Sequence, residues 1–274
     1  MRASRAAPNM TVARIRTLGC HVDNVTLDEA TQRVVSWLSE CESAHGGGPG
    51  VAHKCRFVVT PNLDHAVLLK ESESLRDAYE NAALILADGM PLVWASKILG
   101  TPLRERVAGS DLVPAVLQAA APGTRVFFLG ASEESSALAA GNVHARYPHL
   151  QIAGRLSPPF GFEKDAIWSQ KITEMIRTCQ ASLIVVGLGA PKQELWIHAH
   201  HTQLPNTVAL CAGATIDFLA GTVARAPNWA QKSGLEWVHR LLSDPGRLAK
   251  RYTKDAFALP GLLMSDALDR GRDR

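Results

Sequence analysis

The chain has 274 residues, enough to bury a substantial core as one large domain or as one domain with an appendage. Its 46% apolar and 20% charged residues are those of a globular enzyme and exclude wholesale disorder. A formal net charge of +3 does not mark the whole chain as a nucleic-acid binder, and the positive charge is regional: residues 225–254 hold seven Lys or Arg against two acids.

Five scattered cysteines (Cys20, Cys41, Cys55, Cys179 and Cys211), with no Cys-x-x-Cys spacing, predict neither a disulfide framework nor a zinc site and suit a reducing cytosol. No apolar run reaches the roughly 18–20 residues that a spanning helix needs. The basic N-terminus is followed by no apolar segment, so no signal peptide is predicted.

In chain order, residues 1–12 read as a loose leader. Thr26-Leu-Asp-Glu29 fits a capping box, with Ala30, Val34, Trp37 and Leu38 following at helical spacing, and a Gly-rich loop at 46–50 ends that unit. Short apolar runs at 57–60, 84–86, 126–129, 183–186 and 207–210 then predict strands. Helical patterns between them include 132–147 and 194–202. This βαβ rhythm predicts an α/β, Rossmann-like, mostly parallel sheet with helices on both faces. After Phe218 the rhythm stops, and 227–252 reads as short helices broken at Ser233-Gly234 and Asp244-Pro-Gly246. The chain thus divides into an α/β catalytic domain at 13–224, a basic helical appendage at 225–260 and a disordered tail at 261–274.

Ligands of such sheets bind at the carboxyl ends of the strands. Four turns there carry unexpected polar or glycine residues: Thr60-Pro61-Asn62, Asp88-Gly89, Gly130-Ala-Ser132, and Gly187-Leu-Gly189 running on to Gln193. Glycines let backbone amides approach a phosphate, and helix N-termini favour negative charge, so a diphosphate fits over the turns at Gly130 or at Gly187 and Gly189. Plain turn chemistry explains the glycines equally well. Neither a full Gly-x-Gly-x-x-Gly nor a Walker sequence occurs, which counts against a dinucleotide or P-loop site. Asp88 is either the N-cap of a helix starting near Pro91 or a general base at the sheet's functional edge. Arg106 is either a surface ion-pair partner of Glu105 or Asp111 or a clamp on phosphate. His198, His200 and His201 do not share one helix face and read as solvated rather than metal-binding. Without an Asp-x-Asp pair, no metal or other cofactor is expected.

Taken in order, Val59-Thr-Pro-Asn62, Ala87-Asp-Gly-Met-Pro-Leu-Val-Trp94, Arg104-Glu-Arg-Val-Ala-Gly-Ser-Asp111, Phe128-Leu-Gly130, the run from Val186 to Trp196, the run from Gly213 to Gly221 and the segment from Arg225 to Tyr252 resemble the WecG/TagA/CpsF glycosyltransferase family. The resemblance spans roughly residues 14–255. It implies a GT-E-like fold and inverting transfer of a sugar from a UDP-sugar to a polyprenyl-diphosphate-linked saccharide. The work would be done at the cytoplasmic face of a bacterial membrane, with no nucleic-acid partner. It implies that Asp88 is the base, that Thr60 and Asn62 line the same pocket, and that Arg106 and Gln193 contact donor or acceptor. It also makes Arg240, Arg247 and Arg251 of the appendage candidate substrate contacts. The sugar (N-acetylmannosamine, its uronic acid or glucose), the acceptor and a homo-oligomeric state stay open.

In the appendage, Trp229, Leu235, Trp237, Leu241, Leu242, Leu248 and Tyr252 interleave with the basic residues, a composition suited to the headgroup region of anionic lipid. A helical subdomain packed on the sheet has the same pattern. The competing functions are a nucleotide-sugar oxidoreductase or epimerase, which would show a dinucleotide fingerprint and a Tyr-x-x-x-Lys pair, and a non-catalytic nucleotide-binding module.

Overall fold

The computed structural model describes residues 13–45, 53–227, 229–230, 236–243 and 245–272, without the side chains of Arg240, Ser243, Arg247 and Arg272. The expected leader, the Gly-rich loop and the break at Ser233-Gly234 lie outside the described residues.

Two strands precede the first expected one. β1 (Arg14–Thr17) and β2 (Cys20–Asp23) form an antiparallel hairpin through Leu18 and Gly19, both with positive φ. At four residues each, with Arg14 and Arg16 interrupting the apolar pattern, they carry too little periodicity to be read from sequence. The capping box is present: Thr26 N–H donates to the Glu29 carboxylate at 3.1 Å and Glu29 N–H to Thr26 Oγ1 at 3.3 Å. It opens α1 (Leu27–His45), whose Ala30, Val34 and Leu38 are buried.

All five predicted runs are strands of one parallel sheet. β3 (Arg56–Val59), β4 (Leu84–Ile85), β5 (Arg125–Gly130), β7 (Leu183–Gly187) and β8 (Val208–Cys211) are joined by β6 (Gln151–Leu156), in the order β4-β3-β8-β7-β5-β6. β6 escaped the sequence reading because it is an edge strand, partly exposed along its length and poor in apolar residues. Alternate strand residues face two cores: Phe57, Val59, Phe127 and Ile184 on one side, Val58, Val126, Phe128 and Val185 on the other. Asp23 protects the β4 edge, accepting Ile85 N–H at 2.8 Å while paired with Arg14 at 3.1 Å.

The intervening helices are α2 (Leu63–Glu71), α3 (Glu73–Glu80), α4 (Met90–Ile98), α5 (Gly109–Ala119), α6 (Glu133–Arg146), α7 (Ala166–Thr178), α8 (Lys192–His200) and α9 (Thr215–Ala220). In this order the chain steps from β3 to β4 toward one edge of the sheet and from β5 to β6 toward the other. The carboxyl ends of the strands between them therefore border a crevice, where ligands of this architecture bind.

The C-terminal segment corrects one expectation. After α10 (Glu236–Ser243), a single helix α11 (Pro245–Arg272) continues through residues expected to be a disordered tail. Leu262 is buried in the core of the α/β domain, and the Asp266 carboxylate accepts Gly19 N–H while pairing with Arg16 at 3.0 Å. Arg251–Asp64 at 2.8 Å and Lys254–Glu71 at 2.9 Å fasten the same helix to α2. The charged sequence of 261–272 looked solvated because its partners belong to the hairpin, which the sequence did not reveal.

Candidate active site

The turn after β4 decides between the two readings of Asp88. Gly89, which has no side chain to cap with, occupies the N-cap position of α4, so Asp88 is not its N-cap residue. Its backbone N–H donates to Pro61 O at 2.9 Å, tying the β4 turn to the β3 turn. Its carboxylate is partly exposed and lies 3.8 Å from Arg106 Nη1.

Arg106 is largely buried and collects three carboxylates: Asp88, Asp111 at 3.1 Å and, through the same Nη1, Glu236 of α10 at 3.3 Å. Asp111 is shared with Arg225 at 2.6 Å. The expected surface pairing of Arg106 with Asp111 therefore exists, but inside a network that includes Asp88 and the first residues of the appendage. Among the described residues, α10 thus meets the carboxyl edge of the sheet at the Asp88 turn.

Thr60 and Asn62 lie beside it with their side chains engaged. Thr60 Oγ1 donates to Cys211 O at 3.1 Å, joining the β3 and β8 turns. Asn62 Oδ1 caps α2 by accepting from Asp64 N–H at 3.1 Å and His65 N–H at 3.4 Å. The packing is tight: a Cβ on Gly89 would stand 3.2 Å from Asn62 Cβ, and one on Gly109 only 3.3 Å from Thr60 Oγ1.

Gln193 is buried rather than displayed. Its amide donates to Glu194 at 2.8 Å and accepts Gly213 N–H at 3.2 Å, bridging the β7 and β8 turns. Gly130 and Gly187 bring two turns into contact: a Cβ on Gly130, at φ +111°, would lie 2.5 Å from Gly187 O. They border a cleft of about 300 Å³ that also takes in Ala131, Phe160, Glu163 and Lys192, with Gly189 (φ +77°) in the same turn. Phe160 stands almost fully exposed with Lys192 Nζ 4.3 Å from its ring centroid, and Lys192 also pairs with Glu163 at 3.6 Å. A larger polar groove of about 980 Å³, bordered by Gln170, Glu174 and Arg177 of α7, shares Glu163 but none of the expected site residues.

Of the appendage arginines, Arg251 pairs with Asp64, two residues beyond Asn62. The side chains of Arg240 and Arg247 lie outside the described residues. The three histidines are not a solvated face. His201 is buried against Phe57, His198 stacks on His201 with centroids 5.6 Å apart, and His200 packs on Trp196; burial pushes His198 and His200 below the ordinary imidazole value. All five cysteines are free, and burial pushes Cys20, Cys41 and Cys55 up to about 12, so these thiols are inert packing groups.

Sequence reasoning missed Glu236 as a partner of the Asp88–Arg106 pair, and missed His65 and Glu194 beneath Asn62 and Gln193. For His65 a signal existed: Asn62-Leu-Asp-His65 has the spacing of a reciprocal helix cap, and both halves of that cap are present.

The profile of the glycosyl transferase WecG/TagA/CpsF family matches residues 15–273. The chain belongs to that family. A protein of Bacillus spizizenii named N-acetylglucosaminyldiphosphoundecaprenol N-acetyl-beta-D-mannosaminyltransferase is 32% identical over 222 residues, covering 81% of this chain and 82% of that one. A protein of the same name from Staphylococcus aureus strain MW2 is 28% identical over 239 residues, covering 87% and 88%. The match extends past 255, where the sequence resemblance ended, to include all of α11. Among the described residues, no helix of this glycosyltransferase-family chain is long and apolar enough to cross a membrane.

Proposed function

We propose that this protein transfers an N-acetylmannosaminyl residue from a UDP-sugar to an N-acetylglucosamine carried on a polyprenyl diphosphate, with inversion at the anomeric carbon and Asp88 as general base. The acceptor and the sugar follow the names of the relatives. The UDP donor is what the family resemblance implies, and with an α-linked UDP donor a β-linked product requires one displacement, one base and no covalent intermediate. The observation that carries the reading is that Gly89, not Asp88, stands at the N-cap of α4, and that the Asp88 carboxylate faces Arg106 at the carboxyl edge of the sheet.

In this mechanism Asp88 accepts the proton of the acceptor hydroxyl as its oxygen attacks the anomeric carbon. The bond from that carbon to the diphosphate oxygen breaks, and UDP leaves with the electron pair. Negative charge growing on the diphosphate is met by the glycine turns at Gly130 and Gly187, by the N-terminal end of α8 and by Lys192. The reading is metal-independent, since these groups supply the counter-charge, and transfer is expected to survive EDTA. The basic residues of the appendage hold the protein at anionic lipid, where the acceptor resides.

The test is a screen of UDP-sugars against a lipid-diphosphate N-acetylglucosamine acceptor, with mass and anomeric analysis of the product. UDP-N-acetylmannosamine is expected to yield a β-linked disaccharide. Asp88→Asn is expected to lower turnover by roughly 10²–10⁴, the range for a lost general base, with donor binding retained. Full turnover by that variant removes Asp88 as the base; no product from any UDP-sugar removes the donor class.

A further inference from the structure

Glu194 is fully buried, a costly place for a carboxylate unless its charge is used. Its Oε1 accepts from the Gln193 amide at 2.8 Å and lies 3.4 Å from His65 Nε2, a contact rather than a hydrogen bond: Oε2 and His65 Nε2 are both buried without a hydrogen-bond partner among the described residues. The Tyr79 hydroxyl, on a ring 6.5 Å from that of His65, is likewise buried without one. Burial first, and the Glu194 charge second, push that hydroxyl well above its ordinary value.

The other face of the imidazole meets the candidate site. His65 Nδ1 lies 2.9 Å from Asn62 Oδ1, Asn62 packs on Gly89, and Asp88 N–H is bonded to Pro61 O. A continuous line of contacts therefore runs from Glu194 through His65 and Asn62 to the Asp88 turn. A second line runs from Glu194 through Gln193 to Gly213 N–H in the β8 turn. One buried carboxylate thus anchors the turns after β3, β7 and β8, and the turn after β4 leans on the first of them.

We propose that Glu194 and His65 are positioning residues for sugar transfer: the pair holds Asn62 and Gln193, and through them the Asp88 turn, in fixed relation across the carboxyl edge of the sheet. The proposal rests on the reading of Asp88 as base. A displacement of about 1 Å at a reacting group costs on the order of 10² in rate, so an anchor of this kind acts on turnover. Neither residue touches the substrate; both act through Asn62 and Gln193.

Four variants of the full chain, His65→Gln, His65→Asn, Glu194→Gln and Asp88→Asn, test this. Each is assayed for kcat and donor KM with a UDP-sugar and the lipid-linked acceptor, and for UDP binding by calorimetry to count competent sites. Glutamine at 65 sets its amide nitrogen near the position of Nε2 and keeps the contact with Glu194. Asparagine sets it near Nδ1 and keeps the contact with Asn62. Both are expected to lower kcat per competent site by roughly 10- to 100-fold with donor KM little changed, because the line needs both contacts. Glu194→Gln is expected to match them. If His65→Gln keeps full kcat, His65 only satisfies the Glu194 charge; if His65→Asn does, it only caps α2. Either result overturns the proposal, as does loss of UDP binding in step with turnover. An active Asp88→Asn instead overturns the base assignment. An inactive Asp88→Asn beside active position-65 variants overturns the positioning role alone.

Discussion

Arg106 Nη1 lies 3.8 Å from the Asp88 carboxylate and 3.3 Å from that of Glu236, so one guanidinium joins the β4 turn to the first turn of α10. The candidate base is thereby electrostatically linked to a segment that lies more than a hundred residues away in sequence. Arginine suits this place because its planar fork can serve several carboxylates in set directions, which a lysine ammonium cannot.

Arg106→Lys keeps the charge and loses the fork. We expect kcat/KM to fall roughly 10- to 100-fold, the equivalent of about 1.5–3 kcal/mol for a charge-assisted hydrogen bond. Steady-state kinetics with the lipid-linked acceptor measures this, and a change under twofold would show that the network does not bear on transfer.

The appendage gives a prediction about lipid. Vesicles containing anionic phospholipid are expected to sediment the protein at low salt and to release it as salt rises, because the attraction is screened over about 10 Å at 0.1 M. Exchange of Arg247 and Lys250 for Glu is expected to weaken sedimentation and transfer to a long-chain acceptor together. Unchanged transfer with lost sedimentation would separate the appendage from catalysis.

Asp266 tests the docking of α11. Its buried carboxylate holds Arg16 and the Gly19 N–H, so Asp266→Ala leaves a buried donor without a partner. Because Arg16 reaches solvent, the expected loss is about 2–3 kcal/mol, at or below the range for breaking a fully buried pair. Urea unfolding provides the measurement; a loss under 0.5 kcal/mol would mean that α11 is not held there.

Asp255 gives the pH dependence. Burial, followed by the nearby Asp64 charge, raises its carboxyl from the ordinary 3.8 to about 6, against the opposing pull of Arg251, Lys254 and His65. A raised folded-state value means that its stabilising contribution is complete below about 3.8, declines as pH rises and is lost above about 6. Asp255→Asn, which mimics the protonated acid, is expected to match the parent in melting temperature near pH 4.5 and to exceed it at pH 8. An equal difference at both values would contradict this.

Much of the architecture was legible because local pattern coincided with tertiary demand. The five apolar runs could be read because central parallel strands are buried on both faces and must be apolar throughout. β6 and the β1–β2 hairpin could not, since edge strands tolerate polar residues and short strands leave no period. The helical tail at 261–272 was hidden for a related reason: Asp266 and Arg270 look solvated until Gly19 N–H, Arg16 and Leu99 O stand opposite them.

The candidate site divides in the same way. The sequence by itself determined that Asp88 ends a buried strand, that glycine turns follow the neighbouring strands, and that the ordered motifs belong to one glycosyltransferase family. Only the tertiary structure decided that Gly89 and not Asp88 stands at the N-cap of α4, that Gln193 is buried between two turns, and that Arg106 joins Asp88 to Glu236. The physical reason is range. Strand periodicity and turn chemistry act between neighbours in the chain, whereas the partner of a charged or amide side chain is fixed by whatever the folded sheet brings opposite it. For Asp88 that partner is Arg106, and for Arg106 it includes a carboxylate 130 residues further on.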